Sequence, residues 1–227
     1  MKIGNISLLV PRIVGVVSTV DEVINAEKAG ADLLEVRLDL LEKAKDVKQF
    51  FKDVKISSSL PIIATNRWSK EGGSFTGSED ERISMLASAM EHSDAVDIEL
   101  RAAGRDVVAG KAKKQGIPSI ISYHDFDKTP PKEQMMRVLE EARNAGDLPK
   151  LAVMAKSLDD VVQLLEVTLK AQKPLCTIAM GDIGAHSRVI APLYGSALTY
   201  GHAGKAKAPG QLSVGELRSA LDILVRR

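Results

Sequence analysis

A chain of 227 residues with 44% hydrophobic and 27% charged side chains has an ordinary globular composition and enough length to bury a sizeable core. A formal net charge of +1 and an aromatic content of 4% argue against nucleic acid or an acidic membrane as partner, since both call for a basic field and the first for stacking rings. No run approaches the ~20 apolar residues of a membrane span, and the single cysteine, Cys176, excludes a disulfide framework and suits a reducing, cytoplasmic setting.

The first apolar stretch, Ile6 to Val10, is too short for a signal segment and ends at Pro11. Eight short apolar runs follow: Ile13 to Val17, Leu33 to Arg37, Pro61 to Thr65, Ala95 to Glu99, Pro118 to Ser122, Leu151 to Ala155, Leu175 to Ala179 and Ser196 to Tyr200. Their nearly continuous hydrophobicity predicts parallel strands covered on both faces. Between them lie stretches of helical periodicity with start signals. Ser78 with Glu81, Ser157 with Asp160 and Ser213 with Glu216 have capping-box spacing, and Thr129 followed by Pro130 predicts another helix start. Gly30, Gly116 and Gly146 read as helix stops.

Eight strand–helix units of roughly 25 to 30 residues predict a (β/α)8 TIM barrel, one catalytic domain spanning residues 1–227. An open doubly wound sheet is the rival, although it more often has fewer strands. No linker, low-complexity segment or repeat beyond the βα period divides the chain.

In such a barrel the chemistry belongs to the C-terminal ends of the strands. In order, those ends carry Glu35 and Arg37, Arg67 with Glu71, Asp97 and Glu99, His124 with Asp125, Lys156, Met180 with Gly181, and Tyr200 with Gly201. Side chains two apart share a strand face, so Glu35 and Arg37 point the same way, as do Asp97 and Glu99. Inward charges are costly unless paired, which predicts a polar site; a ring of ion pairs that only staples the strands is the alternative. His124 is placed either to move protons near neutral pH or simply to hydrogen-bond within its loop, and position alone does not separate the two. His92, His186 and His202 are weaker candidates, and no histidine spacing suggests zinc or another metal. Gly181, Gly184, Gly201 and Gly204 follow the last two strands, where many barrels cradle phosphate, so a phosphate-binding isomerase or synthase is a rival reading.

Several segments occur together in a telling order. They are Glu35-Val36-Arg37, Arg67 through Lys70-Glu71-Gly72-Gly73, Asp97-Ile98-Glu99-Leu100 and Ser122-Tyr123-His124-Asp125-Phe126. They continue with Pro149-Lys150-Leu151-Ala152-Val153-Met154, Met180-Gly181 leading to Ser187-Arg188, and Ala208-Pro209-Gly210-Gln211. In order and spacing this set resembles the type I 3-dehydroquinate dehydratases, barrel enzymes of the shikimate pathway. The first strand matches least, and nothing is carried over there.

The resemblance implies a cofactor-free lyase that dehydrates 3-dehydroquinate through a lysine Schiff base. Strand position alone nominates Lys156 as the reactive amine; the resemblance moves that role to Lys150, at the opening of the sixth strand, and leaves Lys156 a solvated residue near a helix start. It makes His124 the general acid and base and Glu71 its orienting partner. It assigns Arg188 to the substrate carboxylate, and Glu35, Arg37, Arg67 and Gln211 to the ring hydroxyls and carboxylate. Met180 and Tyr200 would give apolar contact, although core packing alone explains Met180 equally well. Two positions depart from the family: Lys207 stands where a serine is frequent, and Tyr200 where phenylalanine is usual. Lys207 would either strengthen binding of the substrate carboxylate or point into solvent, and solvent is the favoured reading. The implied partners are a small-molecule substrate and a second copy of the chain in a homodimer. Another lysine-dependent barrel enzyme, such as an aldolase, and a non-catalytic ligand-binding barrel are further alternatives.

Overall fold

The computed structural model describes residues 1–41 and 46–224. The chain opens with a short antiparallel hairpin, β1 (Lys2–Ile3) and β2 (Ile6–Ser7). Eight parallel strands follow: β3 (Arg12–Val17), β4 (Leu33–Arg37), β5 (Ile62–Thr65), β6 (Ala95–Glu99), β7 (Ser119–Asp125), β8 (Leu148–Met154), β9 (Cys176–Met180) and β10 (Leu198–His202). They pair in the order β10-β3-β4-β5-β6-β7-β8-β9. The circle is nearly closed at the β9–β10 seam, where Leu175 bridges Ser196 and the Ala197 amide donates to the Leu175 carbonyl at 2.7 Å. This is the (β/α)8 barrel expected from the eight-fold alternation.

The intervening helices are α1 (Val20–Lys28), α2 (Val47–Ser57), α3 (Glu79–Ala89), α4 (Arg105–Gln115), α5 (Lys132–Ala145), α6 (Leu158–Lys170), α7 (Ser187–Ile190) and α8 (Val214–Leu224). Among the described residues none is long and apolar enough to cross a membrane. The capping boxes of α3 and α6 form as the spacing predicts, and at the start of α8 Ser213 and Glu216 exchange the same reciprocal bonds. The start signal at Thr129-Pro130 falls early: α5 begins at Lys132 behind Pro131, because the Thr129 hydroxyl donates to the Met154 carbonyl instead of capping the helix.

Two apolar layers hold the barrel. Outward strand residues such as Leu34, Val96, Ile121 and Leu151 pack against the helices, while Leu33, Ile63, Ala95, Ile120, Leu148 and Leu198 fill the lower interior. The hairpin completes that inner layer with Ile3 and Leu8, both buried. Pairs of residues this short carry too little periodicity to be read as strands, so the sequence does not announce this floor.

Period two then does the rest. Stepping up from the apolar floor, the inward positions change from Leu33 to Glu35 and Arg37, from Ala95 to Asp97 and Glu99, from Ile120 to Ser122 and His124, and from Leu148 to Lys150. One strand boundary matters here. β8 starts at Leu148, three residues before the expected Leu151, with Pro149 paired to Ile121. Proline lacks an amide and reads as a strand breaker, yet the ladder accommodates it, so Lys150 lies inside the strand and not at its opening.

Candidate active site

Leu151 and Val153 face the helices, so Lys150 between them and Pro149 must face the barrel interior. It stands level with Ser122 of β7 and Cys176 of β9. Its Nζ is 3.0 Å from Asp97 Oδ2, 3.4 Å from Glu35 Oε1 and 3.9 Å from the ring centroid of Tyr200. Asp97 also accepts from Arg67 at 2.9 Å and from the Ser122 hydroxyl at 2.6 Å. Burial pushes the Asp97 carboxyl up, but Arg67 and then Lys150 overcome it and hold the group well below the usual carboxylate range. Glu35 accepts from the Thr65 hydroxyl at 3.0 Å.

Part of the inward charge is a staple, as the alternative reading had it. Glu99 binds Arg67 through one oxygen and Arg82 of α3 through the other, and Arg82 continues to Glu79. Arg67 directs its guanidinium at Asp97, Glu99 and Ser122. Arg37 is held in a two-point fork by Asp39, at 2.8 and 2.7 Å.

The Glu71–His124 pair is built by a turn. After β5 the chain makes a single 3-10 turn over Ser69–Glu71 and reverses at Gly72, whose φ of +78° favours glycine. A Cβ on Gly73 would come within 1.9 Å of the Arg67 carbonyl oxygen, so two consecutive glycines let the turn fold tightly back. This delivers Glu71 Oε2 to the backbone amide of His124 at 2.9 Å and to its Nδ1 at 3.0 Å. Burial, reinforced by Arg67 and Lys150, holds the imidazole well below its ordinary pKa; Asp97 opposes this. A neutral ring whose Nδ1 faces a carboxylate carries its proton there and leaves Nε2 as the free base. Phe126 stacks beside the ring at 6.3 Å.

The opposite wall is formed by α7 and the loop after β10. Arg188 is buried and donates to three carbonyl oxygens, of Gly210, Pro209 and Tyr200, with no carboxylate partner among the described residues. Burial lowers its pKa to about 10. That loop presses onto the end of β9: a Cβ on Gly210 would fall 2.2 Å from the Gly181 carbonyl oxygen, and the Gly181 amide donates to the Pro209 carbonyl at 3.3 Å. With the Gly184 amide bound to the Gly181 carbonyl at 3.0 Å, two of the amides that a phosphate cradle would use are already spent.

Lys150, His124, Glu71, Glu35, Arg37, Arg67, Arg188, Gln211, Met180, Tyr200 and Lys207 all line one cavity at the C-terminal mouth of the barrel, joined by Val16 from the first barrel strand. Lys156 is exposed, and His92, His186 and His202 are not among the lining residues. Lys207 departs from expectation. It does not point into solvent: Nζ reaches Glu22 of α1 at 2.7 Å, an attractive partner at the mouth, and its backbone amide donates to the Gln211 side chain at 2.7 Å. Cys176 is buried level with Lys150 on β9, and burial raises its thiol pKa to about 12. Three contributors escape sequence reasoning. Asp39 and Arg101 are loop charges without periodicity, and Asp97, noted only as a strand-end charge, is the nearest carboxylate to Lys150 among the described residues.

Comparison with known proteins supplies the context. Residues 12–226 match the family model described as type I 3-dehydroquinase. A 3-dehydroquinate dehydratase of Methanococcoides burtonii is 44% identical over 232 residues, covering 99% of both chains. The crystal structure of 3-dehydroquinate dehydratase from Geobacillus kaustophilus superposes with a TM-score of 0.91 at 30% identity, covering 99% of this chain and 95% of that one. The type I 3-dehydroquinate dehydratase of Clostridium difficile, solved with covalently modified comenic acid, gives 0.90 at 32% identity, covering 98% and 96%.

Proposed function

The chain belongs to the type I 3-dehydroquinase family, as a 3-dehydroquinate dehydratase of the shikimate pathway, and we propose that its reaction runs through an imine on Lys150 with His124 carrying the protons. The observation that carries this reading is that Lys150 and the Glu71-held His124 open into one cavity from neighbouring strands.

The chemistry follows from the substrate. A ketone activates the adjacent C–H bond only weakly, and the hydroxyl one carbon further is a poor leaving group. Attack by the Lys150 amine on the ketone, with loss of water, gives an iminium that serves as an electron sink. His124 Nε2 removes the adjacent proton, and the electron pair enters the enamine. The enamine then expels the hydroxyl as His124 returns the proton to it, and water hydrolyses the conjugated iminium to free Lys150. One water is consumed and two are released, so the net change is loss of one water.

Glu71 holds the histidine tautomer that this sequence needs and stabilises the imidazolium after proton abstraction. Arg188, buried without a carboxylate partner, suits the substrate carboxylate as a charge-assisted fork. Lys207 and Gln211, on the same loop, would close the cavity over the ring. Glu35 and Asp97 flank the amine and hold it in place before attack. We take residues 1–227 as one catalytic unit.

The test is incubation with 3-dehydroquinate and borohydride, followed by mass mapping. The expected result is a reduced adduct on Lys150 that Lys150→Ala does not form. Turnover by Lys150→Ala at the parent rate would overturn the imine.

A further inference from the structure

Arg101 lies just beyond β6, outside the cavity lining, on the solvent side of Glu71. Its Nε donates to Glu71 Oε1 at 2.9 Å, and a second nitrogen of the same guanidinium donates to the backbone carbonyl of His124 at 3.0 Å. The guanidinium also stacks on the Tyr123 ring at 4.4 Å, so its plane is fixed from a third direction. Glu71 is thereby bonded on both oxygens, Oε1 to Arg101 and Oε2 to the amide and Nδ1 of His124.

We propose that Arg101 is a positioning residue of the reaction, clamping Glu71 and the His124 backbone together so that the carboxylate stays aimed at Nδ1. The proposal rests on the imine and His124 reading above and adds a residue to it. The other cation near Glu71 is Arg67, whose donors go to Asp97, Glu99 and Ser122, so Arg101 is the side chain whose guanidinium bonds Glu71 directly.

The groups facing this unit set what its loss would do. Glu71 is faced by Arg67 at the end of β5, Glu99 of β6, Arg101 and His124. His124 is faced in addition by Lys150, Asp97 and Arg37. Arg101 itself is faced by Tyr123 and Asp125. Burial raises the Glu71 carboxyl above its ordinary value, while Arg67 and Arg101 pull it back down. Without Arg101, Oε1 loses the charged donor that the structure gives it, and protonation of Glu71 becomes easier. A protonated Glu71 donates to Nδ1 instead of accepting from it. The ring proton then moves to Nε2, and the base is lost.

The variants Arg101→Met, which keeps the stem, and Arg101→Lys, which keeps the charge, test this against the parent from about pH 5.5 to about pH 9. Arg101→Met is expected to lose roughly tenfold or more in kcat at the acid end and to shift the rising limb to higher pH, with much less change in KM. Arg101→Lys is expected to recover most of the loss at the acid end. A parent-like profile in Arg101→Met with an unchanged melting temperature would overturn the proposal. So would a loss equal at every pH that lysine does not relieve, which is the mark of a merely structural residue. Borohydride trapping on Lys150 should persist in Arg101→Met. Failure of trapping in the parent would instead sink the imine reading, which keeps the two failures distinct.

Discussion

Lys150 Nζ sits 3.9 Å from the ring centroid of Tyr200, whose buried hydroxyl has no hydrogen-bond partner among the described residues. The ring offers the amine its electron-rich face, while the hydroxyl bears the desolvation cost of an unmet polar group. Tyr200→Phe keeps the ring and removes the hydroxyl. It is expected to stabilise the protein by about 1–3 kcal/mol in denaturant unfolding. A drop in stability would mean that the hydroxyl has a favourable partner in solution.

His124→Ala separates the two halves of the chemistry. Imine formation on Lys150 does not require the imidazole, so borohydride should still capture the adduct. Elimination should slow by about 10²–10⁴-fold, the range for loss of a general acid–base group. A variant turning over within a few-fold of the parent would remove His124 from the mechanism.

Arg188→Gln probes the carboxylate site. The loss of a charged donor in a buried setting should weaken substrate binding by about 10–100-fold, equivalent to about 1.5–3 kcal/mol. Because this contact is made before and during reaction alike, KM should carry most of the change and kcat little. A variant with unchanged KM would mean that the carboxylate binds elsewhere.

The folded-state pKa of His124 is depressed, chiefly by burial, so the unfolded chain binds its proton more readily. The stabilisation from keeping it neutral is therefore fully present above the ordinary histidine value, near 6.5, and is lost as pH falls from there toward the folded value. Urea midpoints measured across this window should fall with acidity, and less steeply in His124→Gln. Parallel curves for the two proteins would contradict a buried neutral ring.

The barrel was legible because its strands are long enough for their period to register: Leu33, Glu35 and Arg37 already share a face in the sequence. Strand position placed the polar mouth, yet it pointed to Lys156, which is exposed. Lys150, buried in the cavity lining, is singled out only through the resemblance, since Pro149 masks the true start of β8. Lys207 was misjudged because its partner, Glu22, is 185 residues away on α1. Arg101 gave no signal at all. A loop arginine looks like any solvated charge until folding sets its guanidinium against Glu71 and the His124 carbonyl.

The hairpin β1–β2 lays Ile3 and Leu8 beneath a lower interior that strand side chains already fill, which makes the barrel a cup. With Ile3 and Leu8 lying under the filled floor, the door of the chamber among the described residues is the mouth where Lys207 is latched to Glu22. Substrate, product and the expelled water all share that door. A product that lingers there would block the next substrate, so release past the Lys207–Glu22 latch belongs to every turnover.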